Sequence, residues 1–448
     1  MTEMAAITLS SLDTEGFNHQ IRTSPLDMMT RLHEEGTVCV IRSGEKHRLI
    51  VTSEPELAAA ALAHGSRNHR ELLRQLVGSG LFVVTSGEQW RRRRGLLRPM
   101  FAARAVAELH GLVIEATEDF VQRQLLPSAA QSIDLAETFQ QLSIEIILRL
   151  VEPELTGPEL AELTSALHAA VGYLDTRLFA PEKVEETDHD RFAADRAVLE
   201  DFIDERAARH TCPVTGRGLL ADLVAALRED GQEADTGQAL REELLSVFVA
   251  GVETMGTLLT WIFHNMAAHP ETRDRALREV LAEDLRQLSD LPSLPSGTLP
   301  YTRAVVEESL RLHPPAWALF RRIDAPLEAA GIRLEVDDVV MSSTWAIHRS
   351  PELWDAPQEF RPERFLGERP PAQQYFPFGA GPHQCLGRQF SLLEAQVASA
   401  TILSHGTLDV DVPPEGTGLR PTIALAPHPH PRARFLPHTA DTARGGAR

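Results

Sequence analysis

The chain reads FGAGPHQCLG from Phe378 to Gly387, and this stretch carries more chemical information than any other part of the sequence. Its glycines allow the backbone to take positive φ angles and to approach a flat ligand closely. The lone Cys385 precedes a helical run from Leu386 to Ala400, where backbone N–H groups and a helix N-terminus would stabilise a thiolate. The pattern predicts a thiolate metal ligand, although an isolated cysteine beside a turn is more often a buried structural residue.

The composition predicts a soluble globular chain. Of its 448 residues, 43% are hydrophobic and 24% are charged, which is enough apolar material for a large core. The formal net charge of −20 argues against a protein that wraps nucleic acid or coats an anionic membrane. Three cysteines, Cys39, Cys212 and Cys385, suit a reducing cytosol. We expect a cytoplasmic protein with no signal peptide or membrane anchor, because no long uncharged apolar run is present.

The spacing of apolar residues predicts a mainly α chain with small β-sheets, which is an α+β fold class. Val38–Ile41 and Arg48–Val51 alternate like strands and flank the turn residues Ser43–Lys46, which predicts a hairpin. From Glu54 to Pro270 apolar residues recur at three- and four-residue spacing, as in helices. The charged segment Pro181–Arg191 is predicted to be a solvated loop.

Short strands are predicted beyond Pro314, at Ile332–Val336 and Val339–Trp345. No internal repeat and no low-complexity linker separates two cores. We therefore expect residues 1–448 to form a single domain, with an N-terminal extension over residues 1–24 and a flexible tail over residues 438–448.

A second chemical signal lies in the run from Arg241 to Ala268, which is apolar nearly all round and predicts a buried central helix. The sequence AGVET, from Ala250 to Thr254, places an acid and a hydroxyl inside it. Polar groups buried without partners are costly, so these two need an explanation. Either Thr254 bonds back to the preceding turn and Glu253 lies at a helix surface, or both groups serve chemistry.

The stretch that contains Cys385 resembles the haem-binding loop of cytochromes P450, F-G-x-G-x-H-x-C-x-G. The matching positions are Phe378, Gly379, Gly381, His383, Cys385 and Gly387. The resemblance implies the cytochrome P450 fold, with haem b (iron protoporphyrin IX) between a long central helix and a proximal cysteine-ligand loop. It also implies that Cys385 is the axial iron ligand, that Phe378 packs against the sulfur, and that His383 reaches a haem propionate.

The segment ESLR, from Glu308 to Arg311, matches the family's E-x-x-R pattern. Residues three apart share a helix face and can pair, which in isolation indicates only an exposed ion pair. The segment FRPERF follows at Phe360–Phe365. The resemblance implies that Glu308, Arg311 and Arg364 form a buried network beneath the haem loop, with a structural role.

The AGVET segment resembles the family's oxygen-activation groove, A-G-x-E-T. The resemblance implies that Gly251, next to Ala250, makes room for dioxygen. It further implies that Thr254 hydrogen-bonds the oxygen under activation and that Glu253 relays protons from solvent. Met255 stands where the family often has a second threonine. The presence of both the acid and the hydroxyl favours dioxygen-dependent monooxygenation over peroxide-driven chemistry.

The segment WRRRR, from Trp90 to Arg94, resembles the family's W-x-x-x-R. Residues four apart lie on one helix face, and the resemblance implies that Trp90 and Arg94 reach a haem propionate. Four arginines in a row are ordinarily a solvated face. On a chain of net charge −20 they predict a basic patch that steers an acidic electron donor. Arg321, or its neighbour Arg322, is the other expected propionate partner.

The resemblance implies a cytochrome P450 monooxygenase, an oxidoreductase of EC 1.14 type that inserts one oxygen atom of O2 into a C–H bond by hydroxylation or epoxidation. Electrons are expected from a separate ferredoxin, or flavodoxin, and its NAD(P)H reductase, because no flavin or ferredoxin module follows Cys385. We expect a monomer that binds neither nucleic acid nor membrane. Two alternatives stay open: an atypical oxidation such as phenol coupling, nitration, desaturation or decarboxylation, or a non-catalytic haem-binding sensor.

Position in the family pattern also predicts the residues that line the substrate pocket. These are Leu81, Phe82, Phe248, Ala316, Leu319, Phe320, Thr422 and Ile423. Simple core packing is an equal alternative for each of them except Phe82. The mostly apolar lining favours a medium-sized hydrophobic secondary metabolite, such as a terpenoid, a polyketide or a fatty acyl compound.

Overall fold

The structure is a computed structural model that describes residues 19–21, 23–43, 47–67, 73–83, 87–209, 218–230, 236–289, 294–295, 297–413 and 416–438. These residues are mostly helical with small β-sheets, as the apolar spacing predicts. Proximity of Cα atoms divides the chain into two compact units, each discontinuous in sequence. The first comprises residues 1–69, 307–385 and 423–425, and the second comprises the rest. The single domain stays a prediction.

The helices and strands follow one another along the chain in a fixed order. Up to residue 230 they are α1 Pro25–Glu35, β1 Val38–Ser43, β2 His47–Thr52, α2 Pro55–His64, β3 Gly65–Arg67, α3 Arg74–Val77, α4 Gly87–Leu97, α5 Ala103–Ala107, α6 His110–Phe120 with a π-helical continuation Val121–Leu125, β4 Ile133–Asp134, α7 Leu135–Val151, α8 Gly157–Phe179, a 3-10 turn Pro181–Lys183, α9 Glu186–Arg209 and α10 Leu219–Glu229. Beyond it they are α11 Thr236–Ala268, α12 Pro270–Leu281, α13 Leu285–Ser289, α14 Pro300–Leu312, β5 Leu319–Ile323, β6 Leu327–Ala329, β7 Ile332–Leu334, β8 Val339–Ser342, α15 Thr344–Ile347, a 3-10 turn Pro362–Phe365, α16 Arg388–His405, β9 Gly406–Val410, β10 Gly418–Pro421, β11 Leu425–His428 and β12 Arg432–Pro437.

The first unit holds a five-stranded sheet with the order β1-β2-β8-β5-β3. β1 and β2 pair antiparallel, with Val38 opposite Thr52, so the strands of the predicted hairpin are confirmed. The turn at residues 44–46 lies outside the described residues. β8 runs parallel to β2 and antiparallel to β5. Ile50, Ile323 and Val340 from these strands pack into one buried cluster, because alternate strand residues point to the same face.

In the second unit the central helix α11 is 33 residues long, and most of its side chains are buried, as predicted. Two glycines bring it close to α7. A Cβ added at Gly256 would lie 2.8 Å from Gln140 Cα, and a Cβ added at Gly251 would collide with Ile147 Cδ1. The closeness of these two helices therefore depends on Gly256, which faces main-chain atoms, whereas the end of the Ile147 side chain could turn aside from Gly251.

Among the described residues, α11 is also the one helix that is long and apolar enough by composition to cross a membrane. Its most apolar window has a mean hydropathy of 1.5, and 72% of that window is buried inside the protein. A helix that is apolar all round and buried in this way is typical of the core of a large protein.

The predicted loop at Pro181–Arg191 is wrong beyond its first residues, because α9 begins at Glu186. The first turn of α9 carries Glu186 and Asp188, and acidic side chains stabilise a helix N-terminus. Most charged residues of the segment face solvent, whereas Phe192 is buried. The charge marks the exposed face of a helix and not a break in it.

The predicted strand at Val339–Trp345 is correct only for its first half. β8 ends at Ser342, and the short helix α15 follows. The hydroxyl of Ser343 accepts the Ala346 N–H at 3.1 Å, which is the N-cap geometry that starts a helix. Trp345 therefore lies in a helix.

Candidate active site

The cysteine-bearing loop belongs to the first unit. Gly379 and Gly381 both take positive φ, 69° and 71°, in the left-handed region that favours glycine. The Cys385 N–H donates to Phe378 O at 2.9 Å, and the Gly379 N–H donates to Phe376 O at 2.8 Å. Hydrogen bonds of the main chain thus close the loop and fix the position of its cysteine.

Gly381 has a second reason to be glycine. A Cβ at this position would collide with Leu62 O and lie 2.8 Å from Ala63 Cα, at the end of α2. Because both are main-chain atoms, they cannot turn aside as a flexible side chain would. A larger residue here would push the loop away from α2 and displace Cys385.

The described cysteines differ in their accessibility. Cys385 is exposed, whereas Cys39 is buried in β1, and Cys212 lies outside the described residues. An accessible sulfur that ends a glycine-rich loop fits a thiolate ligand of haem iron. The alternative for Cys385 was a buried structural cysteine. Cys39 fits that description, and Cys385 does not. Of the other loop side chains, Phe378 is half-buried and His383 is buried.

The structure brings Glu308, Arg311 and Arg364 together within the first unit. Glu308 and Arg311 are both 0% exposed. Arg311 Nε donates to Glu308 Oε2 at 2.7 Å, and Arg311 Nη2 donates to Glu308 Oε1 at 2.8 Å. Arg364 Nε donates to the same Oε1 at 3.2 Å. Arg311 Nη1 also donates to the carbonyls of His348 and Pro357, each at 2.7 Å. The arrangement is a buried network and not an exposed ion pair.

His348 joins this network to the cysteine-bearing segment, and the sequence analysis missed it. Its Nε2 accepts the Phe376 N–H at 3.1 Å, while its carbonyl accepts from Arg311. Burial lowers the pKa of His348 to about 3, and the positive charges of Arg311 and Arg349 act in the same direction. The ring is therefore a neutral acceptor at physiological pH. No local pattern marks this histidine, because the N–H it accepts lies 28 residues further along the chain.

In the second unit, the middle of α11 is mostly buried but leaves one stripe, and Glu253 beside it, partly exposed. The stripe consists of Val247, Ala250, Gly251 and Thr254. Thr254 Oγ1 donates to Ala250 O at 2.9 Å, so its hydrogen is used within the helix. This back-bonding was one of the two explanations open for Thr254, and it leaves the oxygen lone pairs able to accept.

Glu253, next to this stripe, is partly exposed, and its carboxyl group is hydrogen-bonded to an amide. Its Oε2 accepts from Gln140 Nε2 of α7 at 2.6 Å. The pKa of Glu253 is raised to about 7, by burial first and then by the negative charge of Asp175, against the opposing effects of Arg420, His430 and Gln140. A carboxyl group with this pKa can both hold and release a proton at physiological pH. No sequence pattern marks Gln140, which lies 113 residues away.

Charged groups in electrostatic reach of Glu253 are themselves in contact with solvent. Arg420 Nη2 pairs with Asp175 Oδ2 at 3.2 Å, and the two side chains are 46% and 15% exposed. His430 Nδ1 lies 3.2 Å from Asp134 Oδ2, with His430 43% exposed. The surroundings of Glu253 therefore include groups that meet bulk water, which a proton relay requires.

The residues predicted to meet the haem propionates lie in both units. In the second, the Arg94 guanidinium carbon is 5.6 Å from the centroid of the Trp90 ring, so the two side chains share one face of α4. In the first, Arg321 is 5% exposed and its Nη1 donates to Phe320 O at 2.9 Å. Arg322 is more exposed, so of the two neighbours Arg321 better fits a buried anionic group.

The predicted basic patch on α4 is wrong for two of its arginines. Arg92 Nε donates to Asp230 Oδ2 at 2.6 Å. Arg93 is bonded to two carboxylates of α11. Carboxylates from distant parts of the chain therefore neutralise both guanidinium groups, and Arg91 stays exposed.

The residues predicted to line the substrate pocket differ in burial. The half-exposed ones in the first unit are Ala316, Leu319, Phe320 and Ile423. In the second unit Phe82 is half-exposed, whereas Leu81 and Thr422 are buried. Phe248 is 0% exposed, which favours the core-packing alternative for this residue.

Comparisons with known proteins agree on one family. The cytochrome P450 family model matches residues 15–430. A cyclooctat-9-en-7-ol 5-monooxygenase of Streptomyces melanosporofaciens is 31% identical over 86% of this chain and 85% of its own length. A pentalenene oxygenase of Streptomyces avermitilis is 28% identical over 98% of both chains. The crystal structure of CYP175A1 from Thermus thermophilus has a TM-score of 0.75 at 24% identity, covers 97% of this chain and 100% of that chain, and shows the same fold.

The chain therefore belongs to the cytochrome P450 family. It is a bacterial-type P450 monooxygenase with a haem-thiolate cofactor, and enzymes of this family use dioxygen and electrons from a redox partner. The predictions of the family, the fold and the enzyme class are confirmed.

Proposed function

We propose that the protein hydroxylates or epoxidises a terpenoid, using haem b with Cys385 as the thiolate ligand. The single observation that carries the proposal is the exposed Cys385 at the end of a glycine-rich loop. The hydrogen bond from the Cys385 N–H to Phe378 O closes this loop. The buried pair of Glu308 and Arg311 in the same unit supports a rigid base for that loop.

The substrate class follows from the relatives and from the predicted pocket lining. One relative is named for oxygenation of pentalenene and another for oxygenation of cyclooctat-9-en-7-ol, so both names support a terpenoid. Leu319 and Phe320 in the first unit are half-exposed, and so is Phe82 in the second; apolar side chains of this kind line ligand sites. Of the three substrate classes that the sequence leaves open, terpenoids are therefore the one we propose.

When bound, the haem supplies the activation of dioxygen, with the thiolate donating electron density. We propose that Trp90, Arg94, His383 and Arg321 hold its propionates. The bond from Thr254 Oγ1 to Ala250 O holds that hydroxyl in one orientation, so its oxygen is ready to accept a hydrogen bond.

Glu253 is proposed to deliver protons for the reaction. With a pKa of about 7 it carries a proton in roughly half of the molecules at neutral pH, and it regains that proton from water after each transfer. Gln140 holds its carboxyl group in place at 2.6 Å.

We propose that the electrons come from a separate ferredoxin, or flavodoxin, and its NAD(P)H reductase, and that the enzyme is a cytoplasmic monomer. The exposed Arg91 supports docking of an acidic donor on α4. Arg92 and Arg93 are engaged with carboxylates and add little to such a surface.

The first test is the absorption spectrum of the dithionite-reduced protein with and without carbon monoxide. We expect a strongly red-shifted Soret band in the wild type that is absent from Cys385→Ser and retained in Cys39→Ser, the matched control. A Soret band typical of histidine ligation, or a band that survives in Cys385→Ser, would contradict the ligand assignment.

The second test addresses the substrate. Pentalenene and cyclooctat-9-en-7-ol are incubated separately with the enzyme, NADPH and a surrogate ferredoxin and reductase. We expect a product heavier by one oxygen atom from at least one terpenoid. A product that has only lost hydrogens would indicate an atypical oxidation. A haem-loaded enzyme that neither binds nor oxidises either compound would contradict the substrate class.

A further inference from the structure

A buried ion cluster joins α4 to the central helix. Arg93 Nη1 lies 2.5 Å from Glu243 Oε1, and Arg93 Nη2 lies 2.7 Å from Glu242 Oε2. The side chains of Arg93, Glu243 and Glu242 are 15%, 1% and 10% exposed. None of the three occupies a specified position of the motifs quoted above, so two adjacent buried acids need a reason of their own.

The two acids differ in what their second oxygen does. Glu243 Oε2 accepts the main-chain N–H of Leu81 at 3.1 Å, a buried bond between residues 162 apart in sequence. Glu242 Oε1 instead accepts from Gln238 Nε2 at 3.1 Å, one turn earlier on its own helix. Of the two acids, Glu243 is therefore the one that links Arg93 to the main chain before α4.

That main chain lies directly against α11. Gly78 takes a φ of 55°, and a Cβ there would lie 2.7 Å from Glu242 Oε1. A Cβ at Gly80 would collide with Ser246 Oγ and Glu242 O. The Val83 N–H donates to Gly80 O at 2.9 Å and turns the segment back on itself. Glycines thus allow the close approach, and the carboxylate of α11 receives the next N–H, that of Leu81.

We propose that Glu243 is a positioning residue for substrate recognition, which fixes Leu81 and Phe82 against the central helix through the Leu81 N–H and Arg93. The inference rests on the proposed function only in assigning Leu81 and Phe82 to the substrate pocket. Burial raises the pKa of Glu243, while the charge of Arg93 and its hydrogen bond act in the opposite direction. Arg93 thereby helps to keep a charged acceptor facing the Leu81 N–H.

Two isosteric variants separate this role from general stability. Glu243→Gln and Glu242→Gln each remove one negative charge from the same arginine. Arg93 and the Leu81 N–H use different oxygens of Glu243, and glutamine replaces one of these oxygens with an NH2 donor. The positive Arg93 keeps the remaining oxygen, so the NH2 group faces the Leu81 N–H and that hydrogen bond is lost. Glutamine at 242 leaves the Leu81 bond untouched and is the matched control. Glu243→Asp keeps the charge, and we use it as the second variant if Glu243→Gln does not fold.

The first readout is hydrogen exchange of the Leu81 amide in the haem-loaded protein, which needs no substrate. Loss of a buried hydrogen bond is expected to speed exchange by about tenfold in Glu243→Gln, and by less than about twofold in Glu242→Gln. For Glu243→Asp we expect an intermediate rate, because the shorter side chain still carries the acceptor charge. Equal exchange rates in the wild type and in the position-243 variants would overturn the proposal.

The second readout compares two azoles that bind haem iron and differ in size. Imidazole reports access to the iron, whereas 4-phenylimidazole must also fit the pocket walls. We expect Glu243→Gln to weaken the binding of 4-phenylimidazole by about fivefold or more, while the affinity for imidazole changes by less than about twofold. The reason is that only the larger ligand contacts a displaced Leu81 and Phe82. Parallel changes for both azoles, or the same ratio in Glu242→Gln, would contradict the positioning role.

These outcomes distinguish the inference from the proposed function. Failure to oxidise any terpenoid, together with fast Leu81 exchange and a changed azole ratio in Glu243→Gln, would overturn the substrate class and keep the positioning role. Terpenoid oxidation by the wild type, with unchanged exchange and azole ratio in Glu243→Gln, would keep the function and overturn the inference.

Discussion

Glu308 and Glu253 are hydrogen-bonded carboxyl groups, one in each unit, and they have opposite surroundings. Glu308 is fully buried, whereas Glu253 is partly exposed. Glu308 accepts from the guanidinium groups of Arg311 and Arg364 and from the Arg361 N–H at 2.8 Å. Glu253 accepts from a neutral amide, that of Gln140, and burial raises its pKa to about 7. The same side chain thus anchors a hydrogen-bonded network in one place and holds an exchangeable proton in the other.

The difference shows how the hydrogen-bond partners of an acid determine whether its role is structural or chemical. Arg311 uses five hydrogen bonds to tie Glu308 to the carbonyls of His348, Pro357 and Glu359. Removing one member of this network leaves the others buried without compensation, which is strongly destabilising. Glu253 is held by the weaker amide bond and lies near partly exposed charges, so its protonation can change without breaking a network.

The largest effect is expected from breaking the buried network around Glu308. Glu308→Gln leaves Arg311 buried with a single acceptor oxygen opposite it, and breaking such a pair costs about 3–5 kcal/mol. We expect a large fall in the free energy of unfolding and little haem-loaded protein, because His348 and the cysteine-bearing segment depend on this network. Denaturant unfolding and the reduced carbon monoxide spectrum measure both.

The matched control for this variant is Glu359→Gln. Its side chain is 61% exposed and pairs with the 42% exposed Arg361. Removing an exposed pair changes the free energy of unfolding little, because water screens both charges. Similar falls in the free energy of unfolding in Glu308→Gln and Glu359→Gln would show that burial of the network contributes nothing to stability.

The next effect is expected from removing the exchangeable proton. Glu253→Gln keeps the shape of the side chain and removes a carboxyl group whose raised pKa lowers stability when it is ionised. The free energy of unfolding therefore does not fall, and the carbon monoxide spectrum stays unchanged. Turnover falls by about 100-fold, the lower range for general acid–base catalysis. Glu253→Asp restores part of the rate because it retains an acid. Normal turnover in Glu253→Gln would remove Glu253 from the proton pathway.

The pH dependence of that effect follows from the raised pKa. Glu253 is protonated below pH about 7 and ionised above it. Because the protonated form is the donor, wild-type turnover is expected to fall as pH rises through this value, whereas Glu253→Gln shows no such step. Both enzymes are assayed with the same redox partner, so titration of the partner cancels in the ratio of their rates.

The parts of the site that the sequence predicts are those with a local pattern. The glycines around Cys385, the three-residue spacing of Glu308 and Arg311, and the apolar run of the central helix are all visible in one short window. Each has a direct physical meaning: positive φ, a shared helix face and burial on all sides.

What the sequence could not predict are partners that only packing brings together. Gln140 meets Glu253 across 113 residues, and Glu243 meets Arg93 across 150. Neither pair follows a spacing rule, because helix packing sets which side chains face each other. The run of four arginines misleads for the same reason, since carboxylates that lie far away in sequence decide whether an arginine is a surface charge.

The smallest effect is expected from adjusting the exchangeable proton without removing it. Gln140→Leu deletes the bond to Glu253 Oε2, and this bond lowers the pKa of Glu253. A net hydrogen bond is worth about 1 kcal/mol, or roughly 0.7 of a pH unit. We therefore expect the fall in turnover to move to higher pH by about that amount, with the rate on the acid side nearly unchanged. Gln141→Leu, the neighbouring glutamine on α7, is the matched control and leaves the profile in place. A shift to lower pH in Gln140→Leu would mean that the amide stabilises the protonated form of Glu253, and it would contradict the direction expected from the hydrogen bond.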